Sequence, residues 1–469
     1  MVDQIKLANA IAHHQKGELE KADAIYSSLL EITPNHLQTL CLSGSIAQQH
    51  NDHRRAIELF TRASHLNPNL SSIYLQLGIC HSALDEIEAA NLNYLKASQL
   101  SPDQVEPIVN LANNLTKLNY YQEAFELYKK ALSLSPNSAT IHYNIGTMFL
   151  KSMRPEDAQY WLEKTVSLQE NHANAWNSLG VALTEFGNLE GAIKAYSMAT
   201  KHDSALAESY FNSHAALIDL GKPQEAIANL ERASKFEPFN DSHRFFLGVM
   251  KEYFSDEYAD SEILKSLAKN IEMKAELESW EYLKSVGIKS ATLVGTNTKT
   301  IELALKEALL DGLVLEFGVY NGKSIRNIAA QVHSTVHGFD SFQGIPENWN
   351  DEPSGSYSAN GNLPEVPSNV TLYQGWFDET IPKFKKAHDG PIRFMNIDCD
   401  LYSSTKTIFD LLGSQIIPGT VIVFDEYIGY KSWKNDEFKA FQEAVSQYQW
   451  KYQILTFSFA TKQVAVKII

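Results

Sequence analysis

Cysteine is scarce: Cys41, Cys80 and Cys399 stand far apart in 469 residues. No two have metal-site spacing, and three cannot staple a fold, so they read as reduced packing thiols. A long apolar run is also missing. The opening stretch MVDQIKLANAIAHHQKGELEKADAIY is broken by polar residues throughout. It predicts neither a secretory leader nor a membrane span, and with the free thiols it predicts a cytoplasmic chain. Basic charge is in deficit. The net charge is −16, shared between the two halves, with no basic stripe. That argues against nucleic acid or an anionic membrane as the main partner. What is present, 44% hydrophobic and 20% charged residues, is globular composition, and the length predicts two or three domains.

The first half carries a 34-residue ruler. Pro34, Pro68, Pro102, Pro136 and Pro238 fall on multiples of 34. Twelve residues before seven successive marks stand Ala22, Ala56, Ala90, Ala124, Ala158, Ala192 and Ala226. Eight before them stand Tyr26, Phe60, Tyr94, Tyr128, Leu162, Tyr196 and Leu230. Twenty-four before, Gly44, Gly78, Gly146 and Gly180 recur. Small residues recur where two helices cross closely, large ones fill the space beside them, and proline ends each pair. The pattern resembles the tetratricopeptide repeat, seven copies within residues 1–240, followed by a helical cap and connector over 241–294. Such arrays expose a groove for a protein or peptide. Asn110, Asn113, Asn114, Asn144, Asn177 and Asn212 on the first helices of copies four to seven are either solvated positions or grips for a peptide backbone.

Over residues 295–469 the period changes. LVLEFGV, TVHGFD, VTLYQG, IRFMNID and TVIVFDE are short apolar runs ending in polar or glycine corners, separated by helical segments. They predict an α/β doubly wound, Rossmann-like sheet. The tail YQILTFSFATKQVAVKII predicts a closing antiparallel hairpin.

The first run leads into Gly-Val-Tyr-Asn-Gly-Lys-Ser. Only Val319, Tyr320 and Asn321 separate Gly318 from Gly322. A triphosphate loop needs four residues there, and a dinucleotide fingerprint needs another glycine. An acid at the strand end, Glu316, followed by a bare turn suits a ligand bearing an ammonium group and hydroxyls. The stretch resembles the first motif of class I S-adenosylmethionine (SAM) dependent methyltransferases. That resemblance implies cofactor contacts from Glu316, Gly318, Tyr320, Gly322 and Ser324. It implies ribose contacts from Asp340 and Ser341 after the second strand, and adenine contacts from Gly375, Trp376 and Phe377 after the third. Residues 350–368 lack apolar periodicity and read as a lid or a long exposed loop.

The fourth and fifth strands end in Asp398 and Asp400, and in Asp425 and Glu426. Ligands bind outside the carboxyl ends of parallel strands. Four acids there repel one another, and a hard cation, Mg²⁺ first, would relieve that cost. Asp398, Asp425 and Glu426 are candidate ligands; Asp398 and Asp400 are candidate catalytic groups, Asp400 as base. The alternative is that an acid such as Asp398 or Asp425 caps the following helix. His333, His337 and His388 have no ligand spacing and read as structural.

Taken in order, EFGVYNGKS, VHGFDSFQGIPENW, YQGWFDETIP, NIDCDLYSSTK and PGTVIVFDEY resemble the macrocin O-methyltransferase (TylF/MycF/NovP-like) family. That family often has two aspartates where this chain has Asp425 and Glu426. The resemblance implies a SAM- and Mg²⁺-dependent O-methyltransferase acting on a sugar or glycan hydroxyl, with a repeat arm that docks a protein partner. Two other readings stay open: a scaffold whose methyltransferase-like domain is not catalytic, and a protein methyltransferase. The oligomeric state is open as well, a homodimer included.

Overall fold

The computed structural model describes residues 2–255 and 262–469, so part of the predicted connector, 256–261, lies outside the described residues. The chain forms two compact units, Met1–Ala175 and Trp176–Ile469.

The first unit holds five helical pairs, α1 (Val2–Gln15) to α10 (Pro155–Leu168). The ruler becomes contact here. A Cβ built on Gly44 would lie 2.9 Å from the Phe60 ring, on Gly78 2.5 Å from the Tyr94 ring, and on Gly146 2.6 Å from Leu162 Cγ. Only glycine lets each pair close this far. The register alanines Ala22, Ala56, Ala90, Ala124 and Ala158 are fully buried. Asp52 and Ser138 accept the Arg55 and Ile141 backbone N–H groups and so start α4 (His53–Leu66) and α9 (Ala139–Lys151).

Five of the six marked asparagines bond to neighbouring helices. Asn114 is buried and donates to Ser82 Oγ and Asn91 Oδ1. Asn113 Oδ1 accepts from Tyr128 Oη at 2.6 Å and Asn144 Nδ2 at 3.0 Å. In the second unit Asn177 is buried and accepts from Asn212 Nδ2 at 3.3 Å. These amides knit one repeat to the next, because a buried amide needs partners that the adjoining helix supplies.

The boundary falls within α11 (Ala173–Phe186); α12 (Leu189–His202), α13 (Ala207–Asp219) and α14 (Pro223–Phe236) complete the repeats. A Cβ built on Gly180 would lie 2.5 Å from the Tyr196 ring. The same contact recurs past the seventh copy: a Cβ built on Gly248 of α15 (Asp241–Tyr253) would lie 2.5 Å from Leu264 of α16 (Glu262–Leu267). A 3-10 turn and α17 (Lys274–Ser285) follow; there the buried Trp280 donates to Glu252 Oε2 at 2.6 Å.

Leu230, Phe245 and Trp280 share one apolar cluster with Phe457 and Phe459 of the sheet region. The last repeats and the α/β fold are therefore one packed body. That is why the chain divides inside the repeats and not after them.

The α/β fold runs β1 (Thr292–Leu293), α18 (Asn297–Glu307), β2 (Leu313–Phe317), α19 (Lys323–Gln331), β3 (Val336–Asp340), β4 (Val370–Gln374), α20 (Phe377–Ala387), β5 (Ile392–Ile397), α21 (Tyr402–Leu412), β6 (Val421–Phe424), α22 (Glu437–Tyr448), β7 (Tyr452–Phe457) and β8 (Val464–Ile468). The strand order is β1-β7-β8-β6-β5-β2-β3-β4, parallel except for β8, which is antiparallel to β6 and β7. β2 to β4 step one way across the sheet, and β5 returns to the other side of β2. The β2–β5 seam is thus the switch point, where such sheets bind ligands. Among the described residues no helix is long and apolar enough to cross a membrane.

Candidate active site

The loop after β2 is forced by the seam. Gly318 has φ +90°, and a Cβ there would lie 1.6 Å from the Asp398 carbonyl oxygen. Gly322, φ +80°, starts α19 from the left-handed region. Between them Tyr320 also takes positive φ, 48°.

A side chain one strand away holds this turn. Asp340 Oδ2 accepts the N–H groups of Val319 and Tyr320, both at 2.7 Å, and Oδ1 accepts Phe342 N–H at 2.6 Å. The residue predicted to meet a ribose is here the clamp of the glycine loop. Ser341 accepts Gln343 N–H and donates to the Gly344 carbonyl, shaping the next turn.

Glu316 lies beneath the loop, fully buried, and accepts from Asn396 Nδ2 at 2.9 Å. Burial pushes it up to about 8; Ser324 and Asn396 oppose this only in part. After β4, Gly375 donates to the Asp340 carbonyl, and Trp376 remains 37% exposed. Phe377 turns inward instead and packs edge-on to Phe317, 5.5 Å between ring centres.

The four acids meet at the ends of β5 and β6. Burial, then Asp425 and Asp400, hold Asp398 well above the usual carboxylate range. Asp400 is pushed up to about 7 by burial and then Asp425, and it sits at φ +61°. Aspartate is among the few side chains that tolerate this left-handed backbone. Burial also raises Asp425, although it accepts from Gln463 Nε2 and from Asn297 Nδ2 at 3.2 Å. Glu426 is pushed up to about 8 by burial. Its Oε1 pairs with Lys462 Nζ at 3.3 Å, while Oε2 has no hydrogen-bond partner among the described residues.

Four further groups escaped the motifs. Glu437, on α22, is fully buried; one oxygen accepts Cys399 N–H and the other Glu426 N–H, both at 3.3 Å. It ties the two acid loops together. Asn297, and Lys462 and Gln463 of the β7–β8 turn, engage Asp425 or Glu426 from two other segments. Asn297 and Glu437 lie 128 and 11 residues from the groups they bond at the β6 end, so no local pattern advertised them. Lys323, the lysine of the Gly-Lys-Ser stretch, pairs with Glu185 at 3.1 Å.

The segment 350–368 returns over this mouth. Gly355 donates to the Ile345 carbonyl and Gly361 to the Phe342 carbonyl. Tyr357 in that segment is pushed up to about 12 by burial, with Glu352, Asp400, Glu426 and Asp398 adding to it. Its ring meets Tyr320 of the glycine loop edge-on at 6.4 Å.

Raised acids set a pH dependence. A carboxyl with a raised folded pKa binds its proton more tightly folded than unfolded, so stability falls as pH rises through the gap. His214 and His337, both pulled down to about 4 by burial, act oppositely, but only below about 6.5, the ordinary histidine value. Between pH 6.5 and 8.5 the acids act alone. Thermal unfolding without divalent cations should therefore occur several degrees lower at pH 8.5 than at 6.5. Glu316→Gln should reduce that fall. Equal slopes for the two proteins would show that Glu316 is not held protonated.

Residues 315–427 match a family described as a methyltransferase domain. Residues 112–152 and 154–207 match families described as TPR repeat and tetratricopeptide repeat. The chain joins tetratricopeptide repeats to a methyltransferase domain. One relative is a Streptomyces olivaceus enzyme, 8-demethyl-8-(2,3-dimethoxy-alpha-L-rhamnosyl)-tetracenomycin-C 4'-O-methyltransferase. It is 26% identical over 194 residues, covering 35% of this chain and 69% of the relative. Solved structures similar to the repeats include YrrB, a TPR protein with an unusual peptide-binding site. It is 24% identical and covers 39% of this chain and 95% of that one, with a TM-score of 0.34. A repeat protein from Parabacteroides merdae is 13% identical and covers 53% and 98%, with a TM-score of 0.45. In the methyltransferase domain, the clamped glycine loop and the acid cluster flank the same seam.

Among the described residues, no three His, Cys, Asp or Glu side chains are arranged to hold a metal ion. The donors nevertheless suit a hard cation. They are carboxyl oxygens; burial raises both Asp398 and Asp425, neighbouring acids add to it at Asp398, and Glu426 Oε2 has no partner among the described residues. Mg²⁺ needs only one or two carboxylates beside its waters.

Proposed function

We propose that the protein is a SAM- and Mg²⁺-dependent O-methyltransferase acting on a hydroxyl of a sugar or glycan-like acceptor. The observation that carries this is the meeting of Asp398, Asp400, Asp425 and Glu426 beside a clamped glycine-bounded loop at one switch point. The relative's sugar-bearing substrate supports the acceptor class. The proposed division is repeats over 1–240, cap and connector over 241–294, and methyltransferase over 295–469.

The turn Gly318–Gly322 takes the methionine part of SAM, with Tyr320 and Ser324 at its edges and Glu316 as a buried acid behind it. Asp340 keeps the turn in shape, and Ser341 and Gly375 set the flanking corners. Trp376 is the exposed ring that meets the adenine; Phe377 supports it from the core. SAM supplies an electrophilic methyl group. Asp398, Asp425 and Glu426 would hold Mg²⁺, which would supply positive charge to lower the pKa of a nearby hydroxyl. Asp400 takes the acceptor's proton as its oxygen gains the methyl group, and a base near pH 7 is well matched to that task. Tyr357 and its loop cover the mouth and would exclude water from the bound acceptor. The repeats dock a protein partner and raise the local acceptor concentration.

The test is release of S-adenosylhomocysteine from SAM over a panel of sugar nucleotides and glycosides, with Mg²⁺ and with EDTA. Mg²⁺-dependent turnover on a hydroxylated acceptor is expected. Turnover unaffected by EDTA would remove the metal, and turnover only on peptide amines would replace this reading with protein methylation.

A further inference from the structure

The seventh repeat reaches the acid cluster through a short chain of contacts. Asp219, at the end of α13, accepts Gly295 N–H at 2.7 Å and Thr296 Oγ1–H at 2.6 Å. It is largely buried, and burial pushes it up to about 6. A Cβ on Gly295 would lie 2.0 Å from the Ala215 carbonyl oxygen, so the strand-to-helix turn lies directly against the α13 backbone. Thr296 is the cap of α18, its side chain accepting Lys299 N–H at 3.2 Å. The next residue, Asn297, donates to Asp425 Oδ1 at 3.2 Å. Beside this path, Glu185 of the sixth repeat pairs with Lys323 next to the glycine loop.

We infer that Asp219 is a positioning residue for the acid site: it fixes the cap of α18, and through it Asn297 orients Asp425. The sixth and seventh repeats are thus part of the catalytic body as well as a docking arm. The inference rests on the proposed function where it concerns metal binding, but the mechanical path does not. Second partners that orient a metal-binding carboxylate are typically worth ten- to a hundredfold in metal affinity.

Hydrogen–deuterium exchange on the full chain tests the path without cofactor or acceptor. Asp219→Ala should speed exchange at 295–300 and also at 425–429, while β3 is unchanged. Asp219→Asn, which keeps an acceptor, should restore much of the protection. Thr296→Val is a second entry to the same path and serves if Asp219→Ala does not fold. With Asn297 already replaced, Asn297→Ala/Asp219→Ala should add nothing at 425–429, the non-additivity of groups acting in series.

Titration with Mn²⁺, which shares the oxygen-ligand preference of Mg²⁺, should weaken about tenfold in Asp219→Ala. Faster exchange confined to 295–300, with 425–429 and Mn²⁺ affinity unchanged, would overturn the inference and leave Asp219 as a packing contact. If folded wild type binds no Mn²⁺, the metal in the proposed function fails, and exchange at 425–429 alone decides the path.

Discussion

Gly318→Ala is expected to remove SAM binding and to destabilise the methyltransferase domain by about 3 kcal/mol or more. Two costs add. The backbone sits at φ +90°, where a Cβ is strained, and the Cβ would lie 1.6 Å from the Asp398 carbonyl oxygen. That neighbour is backbone at the end of β5, tied to Phe317 by a hydrogen bond, not a side chain that can swing aside. Relief would separate β2 from β5 at the seam, where both the loop and the acids are built. Calorimetric titration with SAM and thermal unfolding read the two effects. Wild-type affinity and stability would mean that the seam opens freely and the loop is not shaped by it.

Asp400→Asn should do the opposite: leave the fold and SAM binding intact and remove chemistry. Asparagine tolerates the left-handed backbone that Asp400 occupies at φ +61°. Its amide cannot take a proton, so methyl transfer should fall by about 10²–10⁴. The checks are S-adenosylhomocysteine release on the acceptor that wild type uses, and SAM affinity within about twofold of wild type. In wild type the rate should rise through the pKa near 7. A rate within about tenfold of wild type would assign the base to another acid.

The repeats were legible because each copy repeats one steric event. A glycine or alanine, and a bulky residue sixteen positions later, are the two sides of a single contact. The eighth contact, Gly248 with Leu264, keeps that spacing. It was hidden because the alanine and proline of the ruler are replaced by Asp260 and Glu272. The strands were legible because β2, β3, β5 and β6 are buried almost throughout, which demands short apolar runs. β1 was missed; two residues paired to β7 carry no pattern of their own.

The acids could be listed from strand ends, but not their partners. Asp340 shows why: its position predicted a ligand contact, and only the folded turn brings two loop amides to within 2.7 Å of it. Glu437, Asn297 and Asp219 are ordinary polar residues in helical sequence. Their meaning comes from elements that close on one another across the sheet. The asparagines were marked without their partners. Repeat spacing marked them, but spacing alone does not distinguish a groove surface from an inter-repeat bond.

The central claim is a SAM cradle beside a cation-binding acid cluster. Isothermal calorimetry with SAM, with and without Mg²⁺, on wild type, Asp340→Ala and Asp398→Ala tests it most directly. The account predicts that wild type binds SAM and Mg²⁺. Asp340→Ala should lose SAM because the glycine loop loses its clamp. Asp398→Ala should keep SAM and lose Mg²⁺. Folded wild-type protein that binds neither SAM nor Mg²⁺ would contradict it.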